Sequence, residues 1–407
     1  MSSATALFKN YMDIFWRFLY LGCTSFGGPA AHIGYFRQSF VVKQKWLLDH
    51  EFSQLVALCQ FLPGPASSQL GFAIGYARAN LGGAILAFIA FTAPSIILLI
   101  LFAKSLALIP QDIEYMLVYG LKLAAVVIVA DAVWGMWRNL CVGLQRKTIA
   151  ILSAGIILML PYLSVHLAVL LAAAVAGALV INHNNVEQQS IRFNVSKRAA
   201  GFCLSLFFTL LALSVVLVLQ SSPNQDADLA ALFAGFYQSG ALVFGGGHVV
   251  LPLLQDVTVA NHWLDESSFL AGYGASQSVP GPLFSFAAYL GFSVDSQGFP
   301  LLNAGVATFA IFLPGFLLLM GVLPFWQKLQ AYSIIKNAIA GVNAGVVGLL
   351  GAAFVNPVFT SAITHTNDIF FVVVLFALFK WRSFSPLLVV LAGIIYAVAT
   401  VLIDLRV

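Results

Sequence analysis

Four short strings rich in glycine and proline interrupt apolar segments, and they are the places where this sequence could bind a ligand. They are SFGGPAAH (25–32), FLPGPASSQ (61–69), FGGGH (244–248) and VPGPLFS (279–285). Proline and glycine interrupt a helix and leave backbone N–H groups without helical partners. Such breaks persist in a bilayer only inside protein or beside a watery cavity, and a helix that restarts there points its N–H groups into that cavity.

The strings therefore predict an anion site that needs no buried lysine. The alternative is that the glycines only allow close helix packing and the prolines only kink the helices. The backbone positions predicted to contact the ligand are Gly27, Gly28, Pro63, Gly64, Gly245, Gly246, Gly247 and Gly281.

Polar side chains next to these strings could donate hydrogen bonds to an oxyanion. Gln60 and Gln277 each stand three residues before a Pro-Gly-Pro string, and a glutamine amide offers two donors. A hydrogen bond between helices is the alternative for both. Ser67 and Ser68 follow Pro65 by one turn, where they could donate to a ligand or bond back to their own helix.

Histidines and rare charged residues complete the candidate site. His32 and His248 lie near their glycine strings, either as ligand donors or as packing residues. Lys122 and Asp131 occupy one apolar segment, where charged residues are functional candidates by default. Lys122 could balance a dianion and Asp131 could carry a coupling proton; snorkelling and a structural ion pair are the alternatives. Asn343 aligns with Lys122 in the second half, so we include it as a substrate contact.

The elements that position these residues are membrane helices. Of the 407 residues, 61% are hydrophobic and 8% are charged, and the mean hydropathy is +0.95. Soluble domains carry about 25% charged residues. Apolar runs long enough to cross a bilayer recur along the whole chain, and we count thirteen apolar segments. The sequence therefore predicts an all-α polytopic membrane protein.

An internal repeat divides the chain. The order Phe-Gly-Gly, Trp-Leu, Phe, Gln, Pro-Gly-Pro occurs from Phe26 and again from Phe244, with identical spacing from the tryptophan onward. We predict a first transporter repeat at 1–182, a polar linker with a connecting transmembrane helix at 183–219, and a second repeat at 220–407. An odd connecting helix would place two six-segment repeats in opposite orientations.

Basic residues favour a topology in which the first two segments of each repeat are re-entrant hairpins. If all thirteen segments spanned, Arg37, Lys43 and Lys45 would lie outside, against the positive-inside rule. Hairpins return these residues to the inside and leave nine spanning helices. The matching loop of the second repeat, 251–266, then lies outside and contains no Lys or Arg.

Several classes of protein are disfavoured by motifs that the sequence lacks. There is no phosphate-binding loop of the form G-x-x-x-x-G-K-[ST], no H-E-x-x-H and no G-x-S-x-G. The four cysteines lie singly in apolar stretches, which predicts neither a metal site nor a disulfide framework. We therefore predict no enzyme activity, no cofactor and no nucleic-acid partner. The expected surroundings are the lipid bilayer, and the sequence leaves a homo-oligomer open.

At these strings the sequence resembles the chromate ion transporter family, in its long, two-domain form. The resemblance is carried by the segments 21–36, 46–76, 91–95, 244–254 and 272–291. It implies secondary active efflux of chromate across the cytoplasmic membrane of a prokaryote, with chromate resistance as the result. Two alternatives stay open: a transporter of sulfate or another tetrahedral oxyanion, and a membrane-embedded lipid-headgroup enzyme or scramblase.

Overall fold

The computed structural model describes residues 3–26, 28–106, 108–160, 163–181, 195–220, 227–244, 247–294, 298–329, 332–382 and 385–404. Within these residues the secondary structure is helical, and no strand occurs among them. The predicted all-α class is confirmed. Three predicted site residues, Gly27, Gly245 and Gly246, lie outside the described residues, as does most of the polar linker.

The first half contains seven helices and one π-helical stretch. They are α1 (Ser3–Thr24), α2 (Gly28–Phe36), the π-helix Arg37–Lys43, α3 (Asp49–Phe61), α4 (Ala66–Leu106), α5 (Gln111–Leu140), α6 (Leu144–Met159) and α7 (Leu163–Val180). Helix α4 is broken near its middle, because Ala79 (φ −150°, ψ 39°) and Asn80 (φ 53°, ψ −154°) leave helical geometry. It therefore acts as two helices that meet at residue 80.

A connecting helix, α8 (Lys197–Gln220), precedes the second half. The second half comprises α9 (Leu229–Leu242), a 3₁₀ turn Gly247–Val249, α10 (Val250–Thr258), α11 (Glu266–Ser278), a 3₁₀ turn Leu283–Ser285, α12 (Phe286–Ser293), α13 (Pro300–Val322), a 3₁₀ turn Leu323–Phe325, α14 (Trp326–Leu329), α15 (Ser333–Ala353), the π-helix Phe354–Phe359, α16 (Thr360–Ala362), α17 (Thr366–Arg382) and α18 (Pro386–Asp404).

Five helices in the described part of the chain are long and apolar enough to cross a membrane. They cover Ala66–Leu106, Asp112–Leu140, Lys197–Gln220, Pro300–Phe325 and Ser333–Ala362. Four shorter apolar helices add to them: Ala168–Val180, Leu229–Leu242, Leu283–Ser293 and Pro386–Val401. The polytopic membrane fold is thereby confirmed, while the count of nine spanning helices stays a prediction.

In the first half the chain reverses twice to form two helix hairpins. The ring of Phe18 on α1 lies 5.7 Å from Phe36 and 4.8 Å from Phe40, so the chain after the first tip runs back along α1. Trp46 stands just before α3, and the Arg78 guanidinium lies 5.0 Å from its ring centroid. The segment between these two residues is thus a hairpin whose two ends lie close together.

The second half contains two further hairpins. The Ser239 hydroxyl reaches the Leu253 carbonyl at 3.5 Å, and a β-carbon on Gly235 would lie 2.5 Å from the Val257 side chain, so α9 and α10 run antiparallel. The Tyr289 hydroxyl donates to the Ser268 carbonyl at 2.9 Å, and the rings of Tyr273 and Phe286 lie 5.9 Å apart, so α11 and α12 also run antiparallel. Four hairpins therefore stand where the sequence predicted them; their re-entrant placement in a bilayer, and the inverted relation of the repeats, stay predictions.

The two halves interlock through glycines on the long helices. A β-carbon on Gly120 of α5 would lie 2.6 Å from Ile394 of α18, and one on Gly341 of α15 would lie 2.1 Å from the Ala173 carbonyl of α7. Only glycine allows backbones to approach so closely. Each long helix thus packs on the last helix of the opposite half, and residues from both halves share one apolar core.

Candidate functional site

The tips of the four hairpins are joined across the two halves by two backbone hydrogen bonds. The Gly281 N–H donates to the Ser25 carbonyl at 2.9 Å, and the Gly64 N–H donates to the Val243 carbonyl at 2.7 Å. Ser25 and Val243 each precede a Phe-Gly-Gly string, and the two glycines are the centres of the Pro-Gly-Pro strings. In each case the second hairpin of one half contacts the first hairpin of the other.

A third contact brings the tips into one cluster. A β-carbon on Gly247 would lie 3.3 Å from side-chain atoms of both Pro29 and Leu283. The start of α2, the third tip and the fourth tip therefore meet at Gly247. Gly28 at the start of α2 has a φ of +73°, and apart from its chain neighbours and its own helix backbone no described atom lies within 4 Å of where its β-carbon would stand, so the first tip borders open space.

The central glycines of both Pro-Gly-Pro strings are required by backbone geometry. Gly64 and Gly281 have φ angles of +117° and +102°, a region that residues with a β-carbon rarely occupy. Space is also restricted: a β-carbon on Gly64 would lie 3.0 Å from the Gly315 α-carbon, and one on Gly281 would lie 2.9 Å from the Ser95 hydroxyl.

Several buried polar atoms in or next to the tips have no hydrogen-bond partner among the described residues. They are Ser25 Oγ, His32 Nδ1, Ser68 Oγ, Gln69 Oε1, Gln277 Nε2 and Ser278 Oγ. Buried polar groups are almost always paired with protein, water or a ligand. The hydroxyls and the Gln277 amide among these groups are donors, and their position at the meeting point of the hairpins suits a polar ligand with several acceptor oxygens.

Helices restart at each tip, which adds backbone donors to these side chains. Helix α2 begins at Gly28 and α4 at Ala66; the 3₁₀ turns that lead into α10 and α12 begin at Gly247 and Leu283. The first N–H groups of a helix lack intrahelical acceptors and carry the positive end of the helix dipole. All four restarts therefore favour an anion.

Two side-chain braces hold the tips against the proline-containing helices α4 and α13. The Gln69 amide donates to the carbonyls of Pro63 at 3.0 Å and Gly315 at 2.9 Å. The hydroxyls of Ser95 and Ser285 lie 2.6 Å apart, and both side chains are buried. Each brace joins the two halves, so the position of the second and fourth tips depends on the opposite half.

His32 belongs to the first tip. Its ring is fully buried, with Nε2 3.2 Å from the Ser25 carbonyl and its edge against Phe91 at 5.3 Å. Because a carbonyl only accepts, Nε2 carries the proton and Nδ1 presents a lone pair. That arrangement orients the Ser25 carbonyl, which also receives the Gly281 N–H.

The two predicted glutamines differ in environment. Gln60 is exposed on α3, whereas Gln277 at the end of α11 is partly buried, and its Nε2 has no partner in the described part of the chain. Ser67 is buried beside Ser68 in the first turn of α4. Gln277, Ser67 and Ser68 thus lie at the tips, and Gln60 faces the outside of the described structure.

Lys122 is placed away from the tips, at the start of α11. Its Nζ lies 3.4 Å from the Ser267 hydroxyl, and the side chain lines a cavity with Glu114 and Asp265. Asn343 lies on α15, which contacts the 3₁₀ turn at the third tip, and its Oδ1 is buried without a partner in the residues that the structure describes. The predicted equivalence of these two positions does not give them equivalent surroundings.

Asp131 and His248 have protein partners. Asp131 forms an ion pair with Lys380 of α17, with side chains 33% and 40% exposed. His248 shares a hydrogen bond of 2.7 Å with the Tyr273 hydroxyl. The structural alternative is therefore realised for Asp131, and its coupling role stays a prediction.

Comparison with known proteins agrees with this architecture. A family model described as Chromate transporter matches residues 12–178 and 230–398. The chain belongs to the chromate transporter family. It is 27% identical to the chromate transport protein of Pseudomonas aeruginosa over 366 residues, covering 85% of this chain and 81% of that relative. It is also 27% identical to a probable chromate transport protein of Synechococcus elongatus, covering 93% and 92%.

A third member of the chromate transporter family, the chromate transport protein of Cupriavidus metallidurans, is 26% identical over 393 residues, covering 94% of this chain and 91% of that relative. No solved structure matches the chain. The family model matches this member in two segments, one in each half of the chain, and the division into two repeats stays a prediction.

Sequence reasoning missed three residues that hold this chromate transporter's tips. Gln69 and Ser285 lie inside the strings, and Ser95 lies in the segment 91–95 that carries the resemblance, but none was selected. Their signal was available: each is a polar residue within one or two turns of a helix-breaking proline, where freed backbone carbonyls need donors.

Proposed function

We propose that this protein exports chromate from the cytoplasm of a prokaryote through the bilayer, and that the four tips bind the anion. The observation that carries the proposal is the convergence of four helix restarts with unpartnered hydroxyl and amide groups at one place. Family membership supplies the substrate class, since relatives of this chain are named chromate transport proteins.

The chemistry of the tips suits a tetrahedral dianion. The strings 25–32, 61–69, 244–248 and 279–285 contain no Lys, Arg, Asp or Glu. Four acceptor oxygens would be held by N–H and hydroxyl donors, with the helix dipoles offsetting the charge. Binding by neutral donors leaves the anion free to dissociate on the opposite side, which a buried lysine in direct contact would hinder.

The membrane potential supports the outward direction. A dianion leaving a cell with a negative interior gains about 4.6 kcal/mol for each 100 mV. Uptake against this bias would require more than two cations in each cycle. Export needs no coupled cations, so it is the simpler direction for a chain with few acidic residues in its membrane segments.

The interlocking of the halves constrains how access alternates. Because α5 packs on α18 and α15 on α7, the halves cannot separate as two blocks without parting these close glycine contacts. We infer that the hairpins move relative to the long helices, with the bonds at Gly64 and Gly281 exchanging between the two states.

The test is chromate flux into inverted membrane vesicles from cells that express the protein, with a defined membrane potential. Energised, protein-dependent chromate accumulation is expected, and Ser68→Ala should lower it while Ser53→Ala, on an exposed turn of α3, should not. Sulfate in excess is the competitor. Absence of accumulation, or sulfate flux that ignores chromate, would contradict the proposal.

A further inference from the structure

A polar pocket lies at the base of the first hairpin, away from the four tips. It is formed by one side of α1 and by the π-helix Arg37–Lys43, and its volume is about 360 Å³. Small-molecule sites commonly have volumes of roughly 300–1,000 Å³. The pocket's lining includes none of the residues predicted to contact the transported anion.

Helix α1 gives the pocket a wall that is both charged and aromatic. Asp13, Trp16, Arg17 and Tyr20 line it at spacings of three and four residues, which places them on one side of the helix. The rings of Trp16 and Tyr20 are 59% and 68% exposed. Tryptophan and tyrosine are enriched where a bilayer meets water, so this side of α1 suits the level of the lipid headgroups.

The π-helix supplies the opposite wall. The Gln44 N–H donates to the Ser39 carbonyl at 2.9 Å, and this bond spans five residues, as in a π turn. Residues four and five apart share one side of such a wide turn, and Ser39, Lys43 and Gln44 line the pocket together. Short π-helical stretches are rare and are frequent at functional sites.

The charged side chains of the pocket are not paired with one another. No hydrogen bond or ion pair joins Asp13, Arg17 or Lys43 to any residue in the described part of the chain. Arg37 of the same π-helix differs, because its guanidinium is paired with Asp49 at 2.7 Å. Two cations and one carboxylate therefore border the same space with their hydrogen-bonding capacity unused.

We propose that this pocket binds the headgroup of a phospholipid that carries both a phosphate and a primary amine, as phosphatidylethanolamine does. Arg17 and Lys43 donate to the phosphate oxygens, and the ammonium group donates to Asp13. Trp16 and Tyr20 pack against the glycerol and the first methylene groups. A headgroup with a negative charge and no amine would leave Asp13 without a partner, so the amine-bearing class is favoured.

The bound lipid would join the two arms of the first hairpin. Asp13 and Arg17 belong to α1, which leads to the first tip, whereas Lys43 ends the π-helix that returns from it. A phosphate held by Arg17 and Lys43 therefore connects the arms by charge-assisted hydrogen bonds. The inference goes beyond the proposed function, because it assigns a resident lipid and not a transported anion.

The experiment titrates the full-length protein in detergent with phosphatidylethanolamine, phosphatidylglycerol or phosphatidylcholine of identical acyl chains, and native mass spectrometry counts the bound lipid. We expect phosphatidylethanolamine to bind most tightly. Arg17→Gln and Lys43→Gln should each weaken its binding about tenfold, and Asp13→Asn should remove the preference over phosphatidylglycerol. The controls Arg198→Gln and Asp112→Asn, at exposed positions of α8 and α5, should bind like the wild type.

Three results would overturn the inference. They are equal binding of the three lipids, tighter binding of phosphatidylglycerol, and wild-type affinity in both Arg17→Gln and Lys43→Gln. Displacement of the lipid by chromate would also overturn it, because the pocket would then belong to the route of the anion. Lys43 is exposed, so Lys43→Gln keeps the test valid if Arg17→Gln fails to fold. Lipid binding is measured without transport, so its failure leaves the proposed function untouched.

Discussion

The backbone N–H of Gly281 donates a 2.9 Å hydrogen bond to the carbonyl of Ser25, and this bond joins the fourth hairpin tip to the first. The bond requires a φ of +102° at Gly281. Its counterpart, from Gly64 to Val243, joins the second tip to the third. Together they place the strings of both halves around one point, so substitutions there should affect transport before they affect membrane insertion.

Gly281→Ala should abolish most transport. A β-carbon would force the residue into a rare backbone region, at a cost of about 1–3 kcal/mol, and would press on the Ser95 hydroxyl at 2.9 Å. Chromate flux in vesicles, corrected for the amount of protein in the membrane, measures the effect. Gly305→Ala is the matched control, because its β-carbon would meet nothing within 4 Å. Equal flux in the two variants would contradict the prediction.

The hydroxyl pair Ser95–Ser285 should show energetic coupling. Ser285→Ala removes one side of a buried 2.6 Å bond, at a cost of about 1 kcal/mol. A double-mutant cycle with Ser95→Ala, read from chromate affinity, should give a coupling energy of about 0.5–1.5 kcal/mol. Additive losses would mean that the two hydroxyls act independently.

Asp368→Asn should destabilise the protein without changing its substrate. The Asp368 carboxylate is fully buried and accepts hydrogen bonds from Tyr119, Tyr396 and the backbone N–H groups of Thr364 and His365. An amide cannot accept all of them, and a loss of about 1.5–3 kcal/mol is expected. Thermal unfolding in detergent tests this.

The control for that change is Asp112→Asn, at an exposed position in the first turn of α5. An unfolding midpoint for Asp368→Asn equal to that of the control would show that the hydrogen bonds contribute little to stability.

Removing both charges of the Asp131–Lys380 pair should be tolerated better than removing one. Asp131→Asn leaves Lys380 without its partner on a partly exposed helix, which should lower the yield of folded protein. Asp131→Asn combined with Lys380→Gln should restore much of that yield. If the double variant folds but loses its response to a pH gradient, the result supports Asp131 as the carrier of a coupling proton.

The sequence alone could predict the helical class, the hairpins and their tips, because helix breakers and apolar runs act locally. The sequence could not predict which side chains pair across the fold. Ser95 and Ser285 are 190 residues apart, and His166 and Asp256 are 90 apart, so only the packing of helices reveals either pair.

Lys122 is a second case in which the sequence could not predict the contacts of a side chain. A charge in an apolar helix indicated a functional site, but its location depends on how α5 meets α11. A β-carbon on Gly274 would lie 2.7 Å from the Leu121 carbonyl, and this close packing fixes Lys122 beside Ser267 rather than at a tip. Spacing along the chain contains no information on that contact.

The exchange of partners between the long helices has a consequence for how the protein is made. Helices α5 and α7 leave the ribosome well before α18 and α15, the helices that cover their glycine faces, have been synthesised. Until α15 and α18 are made, the glycine faces of α5 and α7 are therefore exposed to lipid or to an assembly factor. Loss of α18 would leave α5 without its partner, so a truncation at the end of the chain should damage the half that was made first.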